Sequence, residues 1–393
     1  MEGQPQFDLV LFGATGFTGG LTADYLAAHA PEAMRWALVG RNRAKLEAVA
    51  ARLAGSQGPK PEIVVADAGD RDAMREVAES TRVVVTTVGP YALYGEPLVA
   101  ACAAAGTDYA DLTGEPEFVD RMWIEHHAEA ERTGARLVHC CGFDSIPHDL
   151  GAYFTVQQLP EGVPLTVNGY VRSNAAFSGG TYHSAINAFG RAHKTLAAAK
   201  ERKRLEQRPS GRSIHSAPAR VRRAPELGGW AVPLPTIDGS IVLRSAAALD
   251  RYGPDFTYGH NLLAKHLASV GALAAGVGTG FTLAQLPPTR KLLLKMKSPG
   301  EGPSEAKREQ SWFKVRFVGE GGGRRVVTEV SGGDPGYSET SKMLAESGLC
   351  LAFDDLPKLS GQLTTATAMG DALLERLQKA GIEFRVIETS EKG

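Results

Sequence analysis

The chain has 393 residues, 43% of them hydrophobic, too many for one ordinary core and enough for two or three domains. Its 43 Lys and Arg against 44 Asp and Glu leave a formal charge of -1, which excludes a protein basic throughout that coats nucleic acid and equally an acidic disordered chain. Cys102, Cys140, Cys141 and Cys350 make no C-x-x-C pair and no disulfide framework, which fits a reducing, cytoplasmic compartment, and the polar start EGQPQFD carries no secretory signal.

In chain order, Phe7 to Phe12 (FDLVLF) is a short apolar run ended by Gly13-Ala14-Thr15-Gly16-Phe17-Thr18-Gly19. After it, Leu21, Tyr25 and Leu26 recur at helical spacing. Strand, glycine turn and helix in that order suit a pyrophosphate: glycines let the backbone come close, and the helix start offers free N–H groups and a positive dipole end. Further strands are expected at Arg35 to Gly40, Pro61 to Ala66, Arg82 to Val88, Thr107 to Leu112 and Ala135 to Cys140. Helical patterns fill the gaps at Asn42 to Leu53, Ala68 to Glu79, Glu96 to Ala105 and Phe118 to Glu131. This alternation predicts an α/β fold, with a Rossmann doubly wound parallel sheet over residues 1–150.

Gly13, Thr15, Gly16, Phe17 and Thr18 are then the expected pyrophosphate contacts. The second strand runs into Gly40-Arg41-Asn42-Arg43, where an NAD site usually places an acidic residue; a guanidinium suits a 2'-phosphate instead. NADP(H) is therefore the expected cofactor, with Arg41 as the first contact, Asn42, Arg43 and Lys45 as helpers, and Arg43 and Lys45 otherwise as solvated helix residues. Asp67, ending the third strand, is placed to accept from the adenine amino group or to cap the following helix. Gly89, Pro90 and Tyr91 shape backbone able to pass close to the nicotinamide, while Tyr91 and Tyr94 either wall the pocket or pack in the core.

GATGFTG (13–19), VGRN (39–42), TTVGPYALYGEPLVAAC (86–102), GTDYADLTGE (106–115) and CGFDSIPHDLG (141–151) together resemble the saccharopine dehydrogenase-like oxidoreductases, a family that includes trans-acting enoyl reductases. The likeness continues through SGGTYHS (178–184), GWAVPLPTIDGSIVLRSA (229–246) and GQLTTATAMGDALLERLQKAGIEF (361–384). It implies a Rossmann domain, a second α+β substrate and dimerisation domain over residues 151–393, and an NADP-linked reductase. The C-terminal helix and strand are expected to pack back on the first domain. One departure is Thr364-Thr365, where relatives usually read LTPA.

Hydride transfer to a double bond needs a proton donor beside the nicotinamide. None of the ten tyrosines has a lysine four residues later, so the Tyr-Lys pair of short-chain carbonyl reductases is missing. The candidates are Asp144, Ser145, His148, Asp149, Tyr182 and His183, with Asp144 and Tyr182 taken as catalytic. Against this, Asp144 or Ser145 before Ile146-Pro147 also reads as a helix N-cap, and Gly179-Gly180 as a turn opening a helix Thr181 to Ala192. His139, Cys140, Cys141 and His148 match no zinc spacing, so no metal is expected. No phosphate loop of the G-x-x-x-x-G-K-[ST] type occurs.

Two segments bear on partners. Arg191 to Arg223 holds eleven Lys or Arg against Glu201 and Glu206, a net +9. It reads either as a solvated surface or as a patch for an acidic carrier protein, coenzyme A or anionic lipid; too few aromatics interleave for nucleic acid. Leu267 to Leu286 is uncharged and rich in Gly and Ala, and is followed by Arg290, Lys291, Lys295 and Lys297. It is expected to be an interfacial helix or a tunnel wall rather than a membrane span. Ser298 to Arg308 reads as a loop, before strands at Trp312 to Val318 and Arg325 to Val330.

The expected function is NADPH-dependent reduction of an activated double bond in an apolar small molecule, such as an enoyl thioester or other lipid or polyketide intermediate on coenzyme A or an acyl carrier protein. A homo-oligomer at the periphery of a membrane is expected. The alternatives are a saccharopine-type C–N oxidoreductase and a non-catalytic NADP-binding scaffold at membranes.

Overall fold

The computed structural model describes residues 5–175, 179–207, 209–295 and 302–391. Ser178, Arg208, Lys297 and the start of the expected loop, 298–301, lie outside the described residues. Strands β1 (Phe7–Phe12), β2 (Trp36–Gly40), β3 (Glu62–Val65), β4 (Thr81–Thr86), β5 (Asp108–Asp111) and β6 (Arg136–Val138) pair in parallel in the order β3-β2-β1-β4-β5-β6. Both faces of β1 and β2 are buried, which is why these strands read as unbroken apolar runs. The order reverses between β1 and β4, and a ligand crevice opens at the carboxyl ends there.

The helices follow their sequence signals, with local exceptions. Glu96–Ala105 has the expected bounds, and Phe118 to Glu131 extends to Pro116–Thr133, with Pro116 in its first turn and left-handed Gly134 ending it. The helix expected from Ala68 starts only at Arg71. Its cap is Asp70, whose side chain accepts from the Asp72 and Ala73 N–H groups, while Asp67 accepts from Gly69 N–H at 2.9 Å in the preceding turn. The capping role considered for Asp67 is thus filled by Asp70.

A second, mixed sheet uses β7 (Leu165–Ser173), β8 (Ser213–Ser216), β9 (Arg222–Ala224), β10 (Gly229–Pro233), β11 (Asp255–Ala264), β12 (Phe313–Gly321) and β13 (Arg324–Gly332). Beyond these, β14 (Gly361–Leu363) pairs in parallel with β6 as the seventh strand of the first sheet, and β15 (Glu383–Glu391) pairs antiparallel with β13 at the edge of the second. The helix Ile146–Val156 leaves the first sheet and packs on β12 and β13. The helix Ser338–Phe353 comes back from the second sheet and covers β4 and β5, beside the helix Phe17–His29. One apolar core therefore includes Leu9 and Val85 of the first sheet together with Phe317 and Val330 of the second.

That return is close-fitting at Gly348, where a Cβ would lie 2.5 Å from a Val85 methyl and 2.9 Å from a Leu9 methyl. Packed cores resist added volume. Gly348→Val is expected to cost about 1–3 kcal/mol, read as a lower urea midpoint with an unchanged slope.

Candidate functional site

The register places one set of loops along a single edge. Phe12 pairs with Val39 and with Thr86, and Gly40 with Val65, so Gly13, Arg41, Ala66-Asp67 and Thr87 follow adjacent strand ends. Gly13 has φ +94, and a Cβ there would sit 2.8 Å from both Thr87 Oγ1 and a Val88 methyl, so only glycine fits. Gly16 N-caps the first helix with no side-chain cap, leaving its first-turn N–H groups open to an anion. Thr15 and Gly16 are exposed, whereas Phe17 packs edge-on against Tyr337 at 4.8 Å and Thr18 accepts from Ser341 Oγ through its carbonyl. Helix Ser338–Phe353 and the residues before it thus hold the far side of the cradle.

Arg41 is exposed and, among the described residues, makes no ion pair; Lys45 is exposed beside it. Arg43 approaches Glu47 at 3.9 Å. Asn42 Oδ1 accepts from Lys45 N–H at 3.0 Å as the cap of helix Arg43–Leu53, which leaves the Nδ2 end of its amide to donate to a ligand. At the end of β4, the Tyr91 ring is buried, its hydroxyl donating to Thr86 O at 3.1 Å and accepting from Leu112 N–H, which settles it in the core. Tyr94 is exposed.

Beside β4 the pairs Thr86–Asp111 and Ala110–Val138 bring the loops after β5 and β6 to the same edge. Glu115, which sequence reasoning did not single out, is 5% exposed. It accepts from Tyr91 N–H at 3.2 Å, Ala92 N–H at 2.9 Å and Ser184 Oγ at 3.0 Å, joining the β4 loop to the helix Gly179–Gly190. Burial pushes its carboxyl above the usual range, against the pull of these hydrogen bonds. Its only sequence signal was its place at the end of GTDYADLTGE.

Asp144 stands against the neighbouring Gly114, where a Cβ would lie 3.0 Å from Asp144 Oδ2. The loop carrying Asp144 is anchored by Asp111, whose carboxylate accepts from Cys140 N–H at 3.0 Å and lies 2.7 Å from His139 Nδ1. Cys140 and Ser145 flank Asp144 with φ of +64 and +146, conformations that side chains other than glycine adopt at a cost and that cluster at functional sites. Burial and the Asp238 carboxylate push the Asp144 carboxyl up to about 7, against the pull of the His148 imidazole. Ser145 is the N-cap residue of Ile146–Val156 but forms no side-chain cap bond, and its buried Oγ lacks a partner among the described residues. Asp149 accepts from Ser245 Oγ, Thr365 Oγ1 and Ala366 N–H and ties the helices together.

A cavity of about 320 Å³ adjoins this edge, lined mainly by apolar surface and bordered by Pro90, Leu93, Glu115, Ala188, Arg290 and Leu294. Its walls are the loop after β4, the helix Gly179–Gly190 and the helix Pro287–Lys295. Tyr182 lies on the second of these; its hydroxyl donates to Leu293 O at 3.1 Å, fastening that helix to the third. The helix expected at Thr181 to Ala192 therefore opens two residues earlier and ends at Gly190.

Residues 9–138 match the family of the saccharopine dehydrogenase NADP binding domain. A trans-acting enoyl reductase of Mycobacterium ulcerans is 38% identical over 96% of this chain and 97% of its own. A Mycobacterium tuberculosis protein named provisionally for the same activity is 41% identical over 97% of each chain. The chain belongs to the saccharopine dehydrogenase-like oxidoreductases. Its fold agrees with that of the saccharopine dehydrogenase (L-Glu forming) of Saccharomyces cerevisiae, with a TM-score of 0.54 at 12% identity over 97% of this chain and 99% of the yeast one.

This saccharopine dehydrogenase-like protein is an oxidoreductase whose cofactor is NADP(H). The residues fit it: the glycine cradle has no room for a Cβ at Gly13, the first-turn N–H groups carry no side-chain cap, and Arg41 stands exposed at the next strand end with no ion pair among the described residues.

Two expectations about partner surfaces meet the fold differently. Much of the basic block is spent internally: Arg191 pairs with Glu117, Arg202 with Asp120 and Glu206, and Arg204 with Glu201. Arg212 donates to Gly253 O at 3.0 Å and Ala246 O at 2.7 Å, and Arg222 to Asn168 at 2.9 Å. Glu117 and Asp120 take up two of the net charges, while Lys194, Lys200, Lys203, Arg220 and Arg223 stay exposed. The apolar segment forms the helix Leu267–Gln285, which packs on Gly179–Gly190 and Pro287–Lys295 while leaving Val277 and Phe281 exposed. Among the described residues, no helix is long and apolar enough to cross a membrane.

Proposed function

We propose that this protein reduces an activated carbon–carbon double bond, with an enoyl thioester or a related acyl intermediate as substrate. The observation that carries the reading is the mainly apolar cavity, which opens against Pro90 and Glu115 at the strand ends where the nicotinamide half of a dinucleotide belongs. The trans-acting enoyl reductase names of the relatives point the same way. NADPH, when bound, supplies the hydride.

The chain's own residues do the rest. Gly13 and Gly16, whose own N–H groups donate to Val39 O and Gly13 O, shape the turn, Thr15, Phe17 and Thr18 offer their backbone N–H groups to the pyrophosphate, Arg41 and Lys45 meet the 2'-phosphate, and Asp67 accepts from the adenine amino group. Asn42 acts by keeping helix Arg43–Leu53 capped. Gly89, Pro90 and Tyr91, fixed by Glu115, form the floor under the nicotinamide. Asp144 carries the proton for the carbon beside the carbonyl. Tyr182 is the alternative donor, a role that requires its bond to Leu293 to be exchanged for one to substrate.

In this proposal residues 1–150 serve the cofactor, joined by Tyr337, Ser341 and β14 from the later chain, and the rest of 151–393 serves the substrate. Arg290 and Lys291 at the cavity suit the phosphates of coenzyme A or of an acyl carrier prosthetic arm. Attachment to a membrane surface through the exposed face of Leu267–Gln285, and self-association, belong to the same proposal.

The test is single-turnover oxidation of NADPH by the full-length protein, offered a panel of enoyl thioesters alongside imines formed from an amino acid and a 2-oxo acid. Oxidation with enoyl thioesters alone is expected. Oxidation with the imines alone would move the activity to C–N chemistry, and cofactor binding without turnover on either would make the protein a scaffold.

A further inference from the structure

Two histidines and an aspartate, far apart in sequence, meet in the interior beside the Asp144 loop. His148 lies in the first turn of Ile146–Val156, Asp238 in the first turn of the helix Ile237–Ala248, and His260 on β11. Their side chains are 2%, 5% and 6% exposed. His148 Nδ1 is 3.2 Å from Asp238 Oδ1, His260 Nε2 is 3.4 Å from Asp238 Oδ2, and one donor atom from each residue lies within 4.8 Å of the others. No Lys or Arg pairs with this carboxylate among the described residues.

A simple ion pair would aim an imidazole N–H at a carboxylate oxygen. Here His148 Nδ1, His148 Nε2, His260 Nε2 and Asp238 Oδ1 are all buried and all without a hydrogen bond among the described residues. Buried polar atoms in native proteins are nearly always satisfied; the two imidazoles supply Asp238 with close ionic contacts only, short of well-formed hydrogen bonds, and His148 Nε2 has no partner among the described residues. The spacing says what kind of partner fits. Donors at about 2.0–2.1 Å around a tetrahedral ion stand about 3.3–3.4 Å apart along each edge; each imidazole lies at about that separation from one of the two Asp238 oxygens, while the ligand atoms taken together stand within 4.8 Å, so an ion would draw the two imidazoles together around the carboxylate. The His260 ring also has an orienting contact, with Tyr258 OH 3.4 Å from its Nδ1, which leaves Nε2 turned towards Asp238; Thr236 Oγ1 donates to the same carboxylate.

We propose that His148, Asp238 and His260 form a binding site for a divalent transition ion, with Zn2+ the ion best suited to two imidazoles and one carboxylate. Three protein ligands leave a fourth tetrahedral position for water. The site clamps two helices and a strand of the second sheet directly behind the loop that holds Asp144. Sequence spacing could not reveal it, because Asp238 and His260 are remote from His148 and follow no metal-binding pattern.

The test uses the full-length protein, freed of any histidine tag, stripped with a chelator and titrated with Zn2+ against a chromophoric chelator. Metal content after gel filtration is measured in parallel. About one Zn2+ per chain is expected, with His148→Gln and His260→Gln each lowering the affinity by at least about 100-fold, above the range for loss of an outer-shell partner. Should a variant fail to fold, judged by circular dichroism, the Co2+-substituted wild type decides, since a tetrahedral N/O site gives intense visible absorption. Absence of stoichiometric binding overturns the proposal. So does binding unchanged in both variants, which would place the ion elsewhere, for instance at Glu96, Glu125 and His126. Because the readout is metal content, it stands or falls separately from the identity of the substrate.

Discussion

Asp144→Asn is expected to lower kcat about 100- to 10,000-fold, the range found when a general acid is lost, while leaving NADPH affinity unchanged. The substitution keeps the side chain's shape beside Gly114 and removes only the transferable proton. Stopped-flow oxidation of NADPH with the best substrate of the enoyl panel measures the first quantity, and quenching of protein fluorescence by NADPH the second. A variant that retains wild-type turnover removes Asp144 from the chemistry. Tyr182→Phe provides the contrast. Its hydroxyl is occupied by Leu293 O, so its loss is expected to cost less than the range for a general acid; a larger fall there than at Asp144 would exchange the two roles.

Arg41→Ala is expected to weaken NADPH about 10- to 100-fold, as loss of a charge-assisted contact to phosphate does, with little change for NADH. The expectation rests on position: Arg41 follows Gly40 at the end of β2, exposed and without an ion pair among the described residues. Removing it frees no buried carboxylate and breaks no cap, because Asn42 holds the next helix. The two dissociation constants, measured in the same buffer, decide. Equal losses for both cofactors would place the 2'-phosphate elsewhere, with Lys45 the next residue to replace.

The first sheet was legible because parallel strands covered on both faces are written as local apolar runs, and the glycine turn is a local signal too. Each expected strand from Arg35 to Cys140 appears with bounds shifted by no more than two residues. What could not be read was non-local. β14 is only three residues long and joins β6 from more than two hundred residues away. Glu115 is functional in appearance only once the loop after β4 is folded onto it, and Asp238 and His260 acquire meaning only beside His148. The basic block shows the same limit from the other side: a sum of charges is local, whereas Glu117 and Asp120, which pair with Arg191 and Arg202, come from a different helix. Thr365, in the departure from the family's LTPA, likewise gains a role through a distant partner, by donating to Asp149.

The late return of the chain to its first sheet has a consequence for biosynthesis. Residues 5–145 leave the ribosome early, yet the surface of β4 and β5 waits for Ser338–Phe353, and the free edge of β6 waits for β14. During that interval the nascent protein presents an unpaired strand and uncovered valines, the features that invite aggregation. The cofactor-binding half therefore matures last rather than first, and chaperone demand is concentrated before the final sixty or so residues emerge. Cofactor captured before then would meet a cradle still lacking the Tyr337 and Ser341 side.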